Sequence, residues 1–192
     1  MKMTRKSTSI LYTALLALVV MVTLFSSCTV MAETSKKEIA IEESRKHDST
    51  KYLGFDIDLD SLMSYAKTLV GIPYKYGGRT LAGFDCSGFV NYIFNKVGLS
   101  LPRSSSEMGG IGKEIPLSES KKGDIILFGG SDPKSRPIGH AGIIISEKGE
   151  PVKFIHSQTS NHKGIVVSVL DGYDYFVKRF VKVVRIVDND KK

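Results

Sequence analysis

The chain predicts an α+β domain in which helices come first and a small antiparallel sheet or barrel follows. Apolar residues between 59 and 97 recur at helical spacing. From residue 125 onward, short runs rich in β-branched residues are bounded by Gly, Asp or Pro, the pattern of strands. Composition is globular from about residue 55 to 187. That length suits one domain around one core.

The elements follow in order. Asp58-Leu59-Asp60-Ser61 offers an N-cap, and Leu59, Leu62, Met63, Ala66, Leu69 and Val70 form one helical stripe. Gly71 ends that helix and Pro73 prevents its continuation. Tyr74-Lys75-Tyr76-Gly77-Gly78 is a turn-rich connection. A second helix is expected from Cys86 through Phe89, Val90, Ile93, Phe94 and Val97 to Gly98, and a short third one over 104–108. Strands are expected over 125–128, 140–146, 152–157, 164–170 and 176–187. Residues 129–139 read as an exposed loop before His140, placed to border a cleft.

The start of the chain speaks to location. Lys2, Arg5 and Lys6 precede an apolar run over 10–25, then Ser26, Ser27 and Cys28, which is a secretory signal. The run is too short for a transmembrane helix of about 20 residues. Cys28 after two small residues resembles a bacterial lipobox, so residues 1–27 are expected to be removed and Cys28 lipidated. Ordinary cleavage near Met31-Ala32 is the alternative, and Phe25 replaces the usual Leu of a lipobox. No Asp follows Cys28, so an outer-membrane anchor facing the periplasm is expected in the bacterial envelope. Residues 28–55 are charged and polar and read as a tether, 56–188 as the domain, and 189–192 as a polar tail. No accessory wall-binding module is expected, since the residues before 55 are few and polar.

Charge narrows the partners. Loss of residues 1–27 removes three bases and no acid, so the net charge falls from +7 to +4. That excess attracts anionic polymers weakly. No basic stripe with interleaved aromatics appears, so nucleic acid is not an expected partner. A monomer is expected, because no heptad pattern or large apolar run is present.

The chemistry centres on Gly83-Phe84-Asp85-Cys86-Ser87-Gly88. It places a cysteine where a loop turns into an apolar helix. Unpaired backbone N–H groups and the helix dipole favour thiolate there. Two cysteines in an exported protein ordinarily suggest a disulfide. Acylation of Cys28 leaves Cys86 as a reactive thiol. His140 in Gly-His-Ala-Gly and His156 in Phe-Ile-His follow, and a cysteine with two histidines is how thiol hydrolases are assembled. His162 is a rival to His156, though its hairpin-like surroundings suggest a solvated ring. A Cys/His/His zinc site lacks any close ligand spacing, so no metal or other cofactor is expected.

Six segments in order resemble the NlpC/P60 family of cell-wall peptidases, which have a papain-like fold. They are Pro73-Tyr74-Lys75-Tyr76-Gly77-Gly78, Phe84-Asp85-Cys86-Ser87-Gly88, Leu101-Pro102-Arg103-Ser104-Ser105, Gly123-Asp124, Gly139-His140-Ala141-Gly142-Ile143 and Phe154-Ile155-His156-Ser157. The resemblance implies Cys86 as nucleophile, His140 as general base and His156 as the residue that orients His140. It also implies substrate contacts from Asp85, Ser87 and Ser105 and from one of Tyr74 and Tyr76. Asp85 would hold a free L-Ala amine where that specificity exists, or simply cap the Cys86 helix. The Cys86 N–H would meet part of the oxyanion. Family members often carry Gln after the Arg-Ser segment, whereas this chain has Glu107, a departure that bears on helix length or the cleft rim.

The resemblance implies hydrolysis of peptidoglycan peptide stems, at γ-D-Glu–diaminopimelate or at diaminopimelate–D-Ala. An amidase or acyltransferase on a related scaffold, or a non-catalytic envelope-binding lipoprotein, are the other readings.

Overall fold

The computed structural model describes residues 57–130, 137–159 and 164–188. Cys28, His47 and His162, the tether and most of the loop before His140 lie outside the described residues.

Helix α1 (Leu59–Thr68) opens at Asp58, whose carboxylate accepts the Ser61 N–H at 3.0 Å. Strands β1 (Arg79–Thr80) and β2 (Gly83–Phe84) then form a two-residue hairpin. Helix α2 (Cys86–Asn95) follows at once, with Asp85 as its N-cap. Helix α3 (Ser105–Met108) is a single turn closed by a capping box. The Glu107 carboxylate accepts from the Ser104 N–H at 3.1 Å and from its hydroxyl at 2.6 Å, so the departure at this position supplies a cap.

The second half builds one antiparallel sheet in the order β3-β8-β4-β5-β6-β7. Its strands are β3 (Lys113–Ile115), β4 (Ile125–Gly129), β5 (Ile138–Ile144), β6 (Lys153–Gln158), β7 (Gly164–Val169) and β8 (Phe180–Arg185). The α+β expectation holds, and β3 is an addition to it. The expected strand over 176–187 is corrected. Residues Asp174–Arg179 form helix α4, and only Phe180–Arg185 continue as strand. Phe176 is buried whereas Tyr175 and Val177 are exposed, so this stretch carries no continuous apolar face before residue 180. Six residues are too few for a helical period to declare itself.

Strand β4, in the middle of the sheet, is buried on both faces. Ile125 and Leu127 of β4 pack with Phe89, Val90 and Ile93 under the helices. Ile126 and Phe128 point the other way, against Ile144, Phe154 and Phe176 of the α4 side. This explains why β4 reads as an unbroken apolar run. The Asp124 carboxylate grips the Arg185 guanidinium through two hydrogen bonds of 2.8 Å, tying the turn before β4 to the end of β8. Burial pushes the Asp124 carboxyl upward, and Arg185 opposes that push.

Candidate active site

The site lies where the start of α2 meets β5 and β6. Local chemistry places each part. Asp85 caps α2 by accepting the Gly88 N–H at 2.6 Å. Gly88 is required by close approach, because a Cβ there would stand 2.1 Å from the Gly78 carbonyl oxygen. Ser157 donates to the Phe84 carbonyl at 2.8 Å, fastening β6 to the backbone just ahead of Cys86.

His140 sits at a bulge. Phe128 pairs with His140 but Gly129 pairs with Ile138, so Gly139 is the extra residue on β5. A bulge re-aims the side chains beside it. Gly142 admits the second histidine, since a Cβ there would stand 3.1 Å from the His156 Cβ.

Cys86 and His140 line one cavity of about 290 Å³ together with Tyr74, Gln158 and Arg179. His140 Nε2 and His156 Nδ1 are 2.8 Å apart. His156 Nε2 lies 3.0 Å from the Ser168 hydroxyl. His156 is fully buried, with Phe154 and Phe176 centroids 4.8 and 5.4 Å from its ring. This dry surround disfavours charge on the His156 imidazole, while His140 is half-buried at the cavity wall. Burial, helped by the Arg179 charge, lowers the His140 pKa to about 4. Burial, helped by His140, holds His156 well below its usual range.

Cys86 is a free thiol. The expectation that its surroundings favour thiolate is corrected, because burial outweighs the groups that favour it. Burial pushes the thiol up and the Asp85 charge adds to it, while the N–H groups of Ala141, Ser87 and Cys86 itself favour thiolate but do not prevail. With His140 held down as well, the resting pair is neutral thiol and neutral imidazole. A base must therefore take the proton as the sulfur attacks.

The hydrogen-bond order fixes which nitrogen is available. For Nδ1 of His140 to accept a proton, Nε2 must carry hydrogen and donate to Nδ1 of His156. His156 Nε2–H then donates to Ser168. Ser168 thus ends a chain that selects one tautomer of each ring. Nothing in the sequence marked Ser168. It stands opposite Phe154 in the β6–β7 register, two residues along from His156 on one face, and a register cannot be read from strand composition.

The remaining candidates separate. Tyr74 lines the cavity, and burial followed by the Cys86 and Asp85 charges raises its pKa, so the phenol keeps its proton as a donor. Tyr76 is 91% exposed, outside the cavity wall. Arg103 Nη2 lies 2.5 Å from one Asp85 oxygen, and Nη1 lies 3.2 Å from the other and 2.8 Å from the Ser87 hydroxyl. Asn91 fixes this arrangement by donating to the Leu101 and Pro102 carbonyls at 2.8 and 2.9 Å. Asp85 and Ser87 thereby serve the fold beside the cavity. Ser105 is buried in the first turn of α3, away from the cavity lining. Arg179 and Tyr175 of α4 reach the cavity unforeseen, because their segment reads as strand. Among the described residues no group of three or more metal-binding side chains converges.

Fold and site together define a papain-like α+β domain with a cysteine and two linked histidines at the seam of its layers. The chain belongs to the NlpC/P60 family, whose model matches residues 71–185. It is 34% identical over 128 residues to the probable endopeptidase NlpC homolog of Haemophilus influenzae, covering 66% of this chain and 62% of that protein. It is 34% identical over 143 residues to murein DD-endopeptidase MepS/murein LD-carboxypeptidase of Escherichia coli K12, covering 73% and 70%. It superposes on an NlpC/P60 family protein of Bacillus cereus with a TM-score of 0.61 at 26% identity, over 69% of this chain and 41% of that one. The chain thus spans 62% and 70% of these two curated relatives and less than half of that solved chain.

Proposed function

We propose that this protein hydrolyses peptide stems of peptidoglycan by a thiol mechanism. The observation that carries the reading is the shared cavity of Cys86 and His140, with His140 backed by His156 at 2.8 Å. Cys86 attacks the scissile carbonyl as His140 Nδ1 takes the thiol proton. The oxyanion develops beside the Cys86 N–H and the Tyr74 phenol. His140 returns the proton to the leaving amine, an acyl-enzyme remains, and water releases it by the reverse use of the same base. The relatives' activities by name, endopeptidase and murein DD-endopeptidase/LD-carboxypeptidase, support stems as the substrate class.

His156 is neutral in this scheme, so it orients His140 and does not offset its charge as a carboxylate would. The Cys28 lipobox supports a lipid-anchored protein of the outer membrane facing the periplasm, where tethering raises local concentration at the wall. Radiolabelled palmitate should be incorporated into the wild type and not into Cys28→Ala, and an unlabelled wild type would remove this part of the reading.

Incubation of freshly reduced protein with crosslinked dimers and monomeric stems, read by mass spectrometry, tests the activity and names the bond. Dimers falling to monomers identify crosslink cleavage. Stems ending at D-Glu identify cleavage within the stem. Intact substrates throughout would refute the hydrolase reading.

A further inference from the structure

One charged side chain in the cavity wall has no part in the mechanism above. Arg179 closes α4 and lines the cavity with Cys86 and His140. Its Nε and Nη2 donate to the Gly129 carbonyl at 3.1 and 2.6 Å, and Nη1 donates to the Tyr175 hydroxyl at 2.6 Å. The guanidinium also lies over the Tyr175 ring at 4.6 Å. All of these partners are neutral. Among the described residues Arg179 has no carboxylate partner, unlike Arg103 and Arg185. Three of five N–H donors are used, which leaves one on each terminal nitrogen. A half-buried cation fixed by neutral acceptors at the edge of a cavity has two N–H donors left to offer an anion that enters the cavity.

The side of the cavity follows from the mechanism. His140 delivers its proton to the leaving amine, and Phe128 pairs with His140 on one side and with Phe180, next to Arg179, on the other. Arg179 therefore flanks the histidine end of the cavity, where the leaving amine takes its proton. Resting on the stem-hydrolase reading, we propose that Arg179 determines specificity by binding a free carboxylate on the same carbon as the leaving nitrogen. Two bonds of tetrapeptide stems meet that requirement. One releases a terminal D-amino acid. The other opens a crosslink in which the leaving nitrogen and a free carboxylate share one carbon of diaminopimelate. A bound carboxylate also offsets the Arg179 charge that adds to burial in holding His140 down, so its own substrate makes the base stronger.

The test uses a tetrapeptide stem and a crosslinked dimer, each prepared as free acid and as carboxamide at the leaving residue. The wild-type protein should cut the acids with kcat/KM at least roughly tenfold above the amides, the worth of a hydrogen-bonded charge pair. Arg179→Gln should shrink that ratio mainly through KM for the acids. The acid limb of kcat should lie at higher pH for acids than for amides in the wild type, and this difference should vanish in the variant. A role in holding Gly129 alone would move none of these ratios. Equal cutting of acid and amide by the wild type overturns the inference and leaves the hydrolase reading standing, as does exclusive cleavage at γ-D-Glu. Cleavage of no substrate refutes both.

Discussion

At the residue scale the protein's chemistry is set by three neutral groups in a row. Cys86 is pushed up and His140 and His156 are pushed down by the same leading cause, burial. A preformed thiolate–imidazolium pair would alkylate at a constant rate from mildly acid to neutral pH. Cys86 should instead react with iodoacetamide faster and faster as pH rises through and beyond the ordinary thiol range. A plateau between pH 5 and 8 would contradict the neutral pair. Ser168 is a positioning residue in this account. Ser168→Ala should lower kcat by roughly tenfold with little change in KM, while His156→Ala, which removes the orienting partner itself, should cost on the order of 10²–10⁴. The acid limb of the pH profile should move in the Ser168 variant, since tautomer selection is what it loses. An unchanged profile would leave Ser168 as packing.

The element scale shows how much was legible beforehand. Asp85, the Gly-rich turn and the apolar stripe of 89–94 announce α2 because capping and periodicity are local. Cys86 and both histidines are legible for the same reason, since each sits in a short segment of telling composition. Arg179 and Ser168 are not, because one depends on a six-residue helix and the other on a strand register. Both are set by tertiary packing. Gly123-Asp124 is legible as a motif but not in purpose. The structure gives its purpose as a buried Asp124–Arg185 pair joining β4 to β8. Asp124→Ala would remove the carboxylate that grips Arg185 in a nearly buried site and should destabilise the domain by about 3 kcal/mol in denaturant unfolding. A loss under about 1 kcal/mol would show that solvent reaches Arg185.

Across the described domain, α1 to α3 and the sheet form two layers, and the cavity lies at their seam. The nucleophile comes from one layer and the base from the other. Folding therefore assembles the site, and the site in turn taxes folding at low pH. Both histidines have folded pKa values below the usual 6.5, so the unfolded chain binds more protons below that pH. Their stabilising contribution is complete above about pH 6.5 and fades as pH falls toward 4. Tm should fall across that window, and more gently in His156→Asn than in the wild type. Parallel slopes would mean that the pair titrates normally in the folded protein.

The central claim is that the cavity holding Cys86 and His140 is a stem hydrolase. The most direct measurement compares the freshly reduced wild type with Cys86→Ala on purified crosslinked muropeptides, resolved by mass spectrometry. The account predicts shortened or uncrosslinked products from the wild type and intact substrate from a folded variant. Equal product from both proteins, or none from either, would contradict it.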